Sequence, residues 1–374
     1  MNKNIIEFID AIKFKNVREF NSIAVLPMFL EKQSGLLYVT LDEAISSGWL
    51  KITEVDEHGH VPELIARNIS DNLILIIDGE EVIGAKQNRI LNTTVLIDKK
   101  SELKIPVSCV EQGRWNYVSK EFTSSENVLN YKTRVVHSAI LKENLKKNRI
   151  YYSDQGQIWD EVDLLSKDLK VKSNTGAMKD VYKTYDQKLN EYINNFPLEE
   201  EQCGIFVFLD GKVAGFDLVS RPQAYKYLHK KILRSYCMEA IRLDSVRKEE
   251  MGSNSNQKQP VVSIDRAKYF IEEIKQCNEN HFKAIGLGED YRYESKYIIG
   301  SALVYEKTPV HMSFFKLDDN TIRDNKKRNV REFIDDVIIN NNYGDVFFNG
   351  DMTSYTQRKK NKSKNRNQDS NRNQ

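Results

Sequence analysis

DGEEVIGAKQNRILNTTVLIDKKSELKIPVSCVEQGRW, residues 78–115, is the stretch on which the reading of this chain turns. Its middle alternates apolar and polar residues, the pattern of strands buried on one face. Both ends carry polar side chains that no strand requires. Asp78, Glu80, Glu81, Lys86, Gln87, Asn88 and Arg89 stand at one end, and Glu111, Gln112, Arg114 and Trp115 at the other. A hairpin pairing residues 90–97 with 103–109 brings the two polar ends to one sheet edge. That edge is the expected functional site.

Working outward, residues 22–30 (SIAVLPMFL), 36–40, 50–56, 63–67 and 73–78 read as strands, the last apolar enough for burial on both faces. The opening MNKNIIEFIDAIKF and residues 41–47 read as short helices, and EHGH at 57–60 as a reversal. Composition turns helical near Ser124. Helices are expected over 127–149, over 154–169 with Asp154 as cap, and over about 174–195, ended by Pro197. Asp210-Gly211 predicts a type I′ hairpin between 204–209 and 212–218. Helices follow at 223–231, 233–247 and 263–277, with a polar loop at 249–260. Strands are expected at 282–285, 291–298, 302–306 and 309–315, and a last helix at 330–339.

The expected class is α+β. A β-rich portion with the long hairpin spans 1–123, a helical layer 124–200 and a mixed α/β portion 201–330. An extension over 331–355 leads to a low-complexity basic tail over 356–374, expected to be disordered because it has too little apolar surface to bury.

With 374 residues, 40% of them apolar and 10% aromatic, the chain has the makeup of a globular protein with an ample core. The formal charge of +2 conceals an asymmetry: the last 18 residues carry seven Lys/Arg and one Asp, +6 in all, which leaves −4 for the rest. The body therefore lacks the positive field of a nucleic-acid binder, and only the tail is suited to contact nucleic acid, weakly. No run approaches the roughly 20 apolar residues of a membrane-spanning helix. The N-terminus lacks the features of a signal peptide, so the expected location is cytoplasmic. Cys109, Cys203, Cys237 and Cys277 are too dispersed for a Cys-based zinc site, and the six His form no HExxH.

Asp78, Glu80 and Glu81 follow the buried 73–78 run, where side chains emerge at a sheet edge. Carboxylates there suit a catalytic role, as a general base or as oxygen ligands of Mg²⁺. The plainer alternative is a solvated turn shaped by Gly79. Lys86, Arg89 and Arg114 supply donors for phosphate or carboxylate. Gln87, Asn88, Glu111 and Gln112 supply orienting hydrogen bonds, and Trp115 a flat face for a base or sugar ring. Together these are the parts of a nucleotide site; the alternative is a network of ion pairs that pins the hairpin ends. Ser153, Asp154 and Gln155 add polar groups at a helix start, where backbone N–H groups and the helix dipole favour an anion. An N-cap at Asp154 accounts for most of that pattern without a ligand. Cys109 has no His nearby in sequence to activate it and reads as a buried structural thiol.

DGEEVIGAKQNRILNTTVLI, IPVSCVEQGRW, SDQGQIWDEV, NTGAMKDVY, and GKVAGFDLVSRPQAY followed by LRSY occur in this order. They resemble the ARG and rhodanese-phosphatase-superfamily-associated protein family, where ARG stands for ADP-ribosylglycohydrolase. The resemblance covers about residues 23–315. It implies genomic company with ADP-ribose-handling enzymes, and hence a role around an ADP-ribose-like or NAD-derived nucleotide. It carries no catalytic residues across, so the site residues rest on their chemistry. The expectation is binding or processing of such a nucleotide, with metal-assisted hydrolysis as the reaction if there is one. The alternative is a non-catalytic interaction module whose basic tail contacts nucleic acid or an acidic partner.

Overall fold

The structure, a computed structural model, describes residues 1–31, 34–56, 62–251 and 261–317. The reversal expected at 57–60, most of the loop at 249–260, the helix at 330–339, the extension at 331–355 and the tail at 356–374 lie outside the described residues.

The chain begins with helix α1 (Lys3–Asp10), strands β1 (Ile12–Phe14), β2 (Arg18–Phe20), β3 (Ile23–Leu30) and β4 (Tyr38–Thr40), and helix α2 (Leu41–Ser46). Strands β5 (Leu50–Glu54), β6 (Glu63–Asn68), β7 (Leu73–Ile76) and β8 (Glu80–Gly84) come next. They are followed by β9 (Arg89–Leu91), β10 (Val95–Ile97), β11 (Ser101–Cys109) and β12 (Phe122–Val128). Helices α3 (Tyr131–Asn148), α4 (Gln155–Asp168), α5 (Met178–Thr184) and α6 (Asp186–Asn194) precede the hairpin β13 (Gly204–Leu209) and β14 (Lys212–Val219). Helices α7 (Pro222–Met251) and α8 (Ile264–Lys275) then lead to β15 (Asn278–Lys283), β16 (Glu289–Glu294), β17 (Ile298–Tyr305) and β18 (Thr308–Lys316).

The fold is mixed α+β, and its strands sort into three groups. A large antiparallel sheet runs β1-β3-β13-β14-β18-β17-β16-β15, with β2 added beside β3. A small sheet runs β10-β7-β4, and β11-β6-β5-β12-β8-β9 close into a barrel. Strand β3 reads as an unbroken apolar run because both of its faces are covered. Ile23 and Val25 join a core shared with α7, while Ala24, Leu26 and Met28 join another shared with α1 and α8. Its neighbour β13 repeats the split, with Ile205 and Val207 on the first side and Phe206 and Phe208 on the second. The barrel is filled by Ile52, Leu64, Ala66, Val82, Leu91, Ile105, Val107 and Phe122, each large aliphatic or aromatic side chain contributing roughly 1.5–3 kcal/mol by leaving water. Among the described residues no helix is long and apolar enough to cross a membrane.

Several local expectations hold. Asp210 and Gly211 take φ of 52° and 68°, as a type I′ turn requires, and Leu209 faces Lys212 across it. Asp154 caps α4 through Gln157 N at 3.1 Å. The four cysteines are free thiols and buried.

Four others change. Residues 95–97 leave the expected hairpin: only Val107–Cys109 pair with β9, the first part of β11 pairs with β6, and β10 pairs with β7 instead. The polar Asn92 and Thr94 make that departure. Asn92 donates to Tyr151 O at 3.0 Å, and Thr94 Oγ1 lies 2.8 Å from His311 Nδ1. Residues 127–128 extend a strand, not a helix, because β12 closes the barrel against β8 across a bulge. The helix expected over 174–195 is divided at Tyr185 into α5 and α6. Conversely, the helices expected at 223–231 and 233–247 are one, α7. No Gly interrupts it and its single Pro stands at the first position, where no helical hydrogen bond is lost. Burial of every residue from Lys231 to Ile241, on all sides of the helix, blurs the one-faced stripe that marks a surface helix.

Candidate functional site

Strand β8 decides which of the expected site residues can meet. Glu80 opens it and Gly84 closes it; Arg89 lies opposite Val82 and Glu81 opposite Ile90, so the Glu81 side chain leaves the strand on the other face from Arg89. At the Gly84 end the antiparallel pairings bring other strand termini together. Gly84 lies opposite Phe122, which also faces Ile52, and Arg89 lies opposite Cys109. Glu54, the last residue of β5, shares the inward parity of Leu50 and Ile52 and is buried.

Arg89 is fully buried at this barrel mouth. Its Nη1 donates to Gln87 Oε1 at 2.8 Å and to Cys109 Sγ. Its Nη2 lies 3.9 Å from Glu54 Oε1. Among the described residues, Arg89 Nε and Nη2 and both Glu54 oxygens have no partner in hydrogen-bond geometry. Burial raises the Glu54 carboxyl above its usual value, against the pull of Arg89 and the nearby Lys86 amide. Burial also pushes the Cys109 thiol up to about 11 in spite of Arg89, which leaves it protonated at neutral pH and a poor nucleophile. Lys86 Nζ sits 5.2 Å from the Trp115 ring and 5.0 Å from the Tyr117 ring, and the Arg89 guanidinium 5.7 Å from Trp115. Trp115, Tyr117 and Val118 are exposed on the connection between β11 and β12.

A second set of contacts ties the two segments to each other. Arg114 Nη2 donates to Glu111 Oε2 at 2.7 Å and to Asn88 Oδ1 at 3.1 Å, while its Nη1 donates to Ala85 O at 2.8 Å. Glu111 Oε2 also accepts from Asn88 N at 3.2 Å, and Gln87 Nε2 donates to Glu111 O at 2.9 Å. Burial pushes the Glu111 carboxyl up, but hydrogen bonds from Arg114, the Asn88 amide and Thr175 outweigh it and hold it below the usual range. Gln112 is half-buried next to it. Gly113 N donates to Thr175 O at 2.7 Å, an approach a side chain would block, since a Cβ there would stand 2.9 Å from Thr175 Cα. Gln87, Asn88, Glu111 and Arg114 thus pin the segments together, whereas Lys86, Arg89 and Trp115 group around the mouth.

The three carboxylates expected to do chemistry have partners elsewhere. Asp78 accepts from Thr94 Oγ1 at 3.3 Å and lies 3.7 Å from His311 Nδ1. Glu80 pairs with Lys231 of α7 at 2.6 Å, and Lys231 with Asp42 at 2.8 Å. Glu81 accepts from Ser125 Oγ at 2.6 Å and from Asn127 Nδ2 at 3.2 Å. Burial raises the carboxyls of both glutamates above their usual values. Gln155 clamps the Cys109 peptide, accepting its N–H at 2.7 Å and donating to its carbonyl at 2.6 Å. Ser153 Oγ is buried with no partner among the described residues. The sequence reading passed over Glu54 and Tyr117. The signal for Glu54 was a carboxylate on the buried parity of a strand.

Among the described residues no three His, Cys, Asp or Glu groups converge as a metal site. No curated protein and no solved structure is matched by this chain. The sequence model of the ARG and Rhodanese-Phosphatase-superfamily-associated Protein domain matches residues 11–315, a span that takes in the barrel and nearly all of the large sheet, and the chain belongs to that family.

Proposed function

We propose that the barrel mouth binds a phosphate-bearing nucleotide of the ADP-ribose or NAD-derived class. One observation carries this reading: Lys86, Arg89 and Trp115, from two separate segments, group at one end of a closed barrel where part of a buried guanidinium is unpartnered. The Lys86 ammonium suits a diphosphate, the Arg89 guanidinium an oxygen of the same ligand, and the Trp115 and Tyr117 faces suit a base. The family's association with ADP-ribosylglycohydrolase, carried in its name, supports the same ligand class. Binding stands ahead of hydrolysis in this reading. Asp78, Glu80 and Glu81 are engaged by other partners, which leaves Glu54 as the carboxylate that faces Arg89. Mg²⁺ would enter mainly through the ligand's phosphates, as is usual for that ion.

A second reading, a protein partner docking on this face, is supported by the exposure of Trp115, Tyr117 and Val118 on one connection. Contact of the basic tail with nucleic acid or an acidic partner belongs with it.

Thermal unfolding with ADP-ribose, NAD or ADP, each with and without Mg²⁺, separates the readings. A ligand at a hundred times its Kd adds about 2.7 kcal/mol of stability, an increase in Tm of several degrees at most for a chain of this size. The shift is expected in the wild type and lost in Lys86→Ala/Trp115→Ala. No shift with any nucleotide at millimolar concentration refutes the ligand class, and a shift that survives the double substitution refutes the location.

A further inference from the structure

On the nucleotide reading above, one part of the ligand reaches the barrel interior. The Glu54 and Arg89 side chains are 4% and 0% exposed, and 3.9 Å separates their nearest charged atoms. Both Glu54 oxygens and Arg89 Nε and Nη2 have no partner in hydrogen-bond geometry among the described residues. The guanidinium is held in place from its other side, where Nη1 donates to Gln87 and Cys109.

Buried polar atoms of this kind call for partners. A phosphate would satisfy Arg89 but face a carboxylate, and an ammonium would do the reverse. An apolar group would leave both sides unmet. A hydroxyl both donates and accepts, so two adjacent hydroxyls match the set atom for atom: each donates to a Glu54 oxygen and accepts from an Arg89 nitrogen. We propose that the group seated between Glu54 and Arg89 is the vicinal diol of a ribose, which makes Glu54 the residue that selects ligands by their sugar hydroxyls. The phosphates then lie by Lys86 and the base by Trp115 and Tyr117, at the exposed side of the mouth. Entry requires the connection that carries Trp115 to move aside, since Arg89 is covered in this state.

Two ligand pairs test this by equilibrium binding. ADP-ribose against ADP differs by the terminal ribose, and ADP against 2′,3′-dideoxy-ADP by the adenosine diol. A hydrogen bond to a charged partner is worth at least about tenfold in affinity, and a site built for a hydroxyl discriminates against its loss by at least that much. At least one pair should therefore differ by about tenfold or more, which also identifies the ribose involved. Glu54→Gln, close in shape, should bring that pair within about threefold while the member lacking the diol binds as before. Pairs that each agree within about threefold in the wild type refute the diol and leave the nucleotide reading standing, and they do so without any variant. Discrimination unchanged in Glu54→Gln also refutes it. If none of these ligands binds, the nucleotide reading fails and this inference fails with it.

Discussion

Replacing Arg134 with Met should cost the protein about 3 kcal/mol at neutral pH, and the cost should shrink in acid. Arg134 of α3 forms a two-pronged pair with Asp217 of β14: Nη1 donates to Oδ2 at 2.9 Å and Nη2 to Oδ1. Both side chains are essentially inaccessible to solvent. Removing one member of a buried pair costs about 3–5 kcal/mol, because the charge left behind stays in a medium that solvates it poorly. Asp217 would keep the Tyr236 hydroxyl, which donates to Oδ2 at 2.8 Å, and His311 Nε2 at 3.8 Å. Those contacts place the expected loss at the lower end of the range.

The pH dependence has a definite sign. Burial pushes the Asp217 carboxyl up, but the Arg134 charge and the hydrogen bonds of His311 and Arg134 together outweigh burial and hold it well below the usual carboxylate range. A depressed carboxyl stabilises the fold above its unfolded value of about 4, and that contribution is lost as pH falls towards the folded value. Without Arg134, burial dominates and the Asp217 carboxyl rises above its unfolded value. Protonation then relieves the buried charge, so the deficit against the wild type narrows between about pH 7 and about pH 5. Urea unfolding followed by far-ultraviolet circular dichroism measures it. Arg134→Met/Asp217→Leu, which removes both charges, should recover part of the single-variant loss. A loss under about 1 kcal/mol, or one that does not change with pH, refutes the reasoning.

His137 supplies a second pH signature, since burial pushes it down to about 4 from 6.5. Its contribution is present above the unfolded value and is lost as pH falls from 6.5 to about 4, by roughly 3 kcal/mol in all. His137→Gln should flatten that part of the stability profile, and an unchanged slope would count against it. Gly215→Ala should destabilise by about 3 kcal/mol or more. Its Cβ would stand 1.9 Å from Phe314 O, at a φ of +151°. Gly35→Ala, with nothing within 4 Å, should stay within about 0.5 kcal/mol, and equal melting temperatures for the two variants would overturn the packing argument.

Much of this architecture was legible in the sequence, and the misses share a cause. The run at 73–78 announced a strand buried on both faces, and β7 is buried at each of its positions. Asp154 and Asp210-Gly211 marked a cap and a turn through chemistry that operates within a few residues. Residues 95–97 looked like the continuation of residues 90–91, and nothing local indicates that β9 belongs to the barrel and β10 to another sheet. The 127–128 segment looked helical because its only reason to extend is a partner strand far away in the chain, β8.

The site divides the same way. Residue types named the chemistry, and the grouping of Lys86 and Arg89 with Trp115 lies where the two polar clusters were expected to meet. Asp78 and Glu80, a few positions earlier, are carried to the opposite end of β8. Glu54 was passed over because one carboxylate at the end of an alternating strand carries no motif.

By itself, the sequence determined most of the secondary elements, the two-faced burial of the central strands and the inventory of charged and aromatic groups. These follow from periodicities and turn preferences that act over neighbouring residues. Only the tertiary structure decided which groups stand together. A strand's direction and its partner depend on which distant apolar faces can be buried at once, and barrel closure is what sets Glu54 beside Arg89 and sends Glu80 to Lys231.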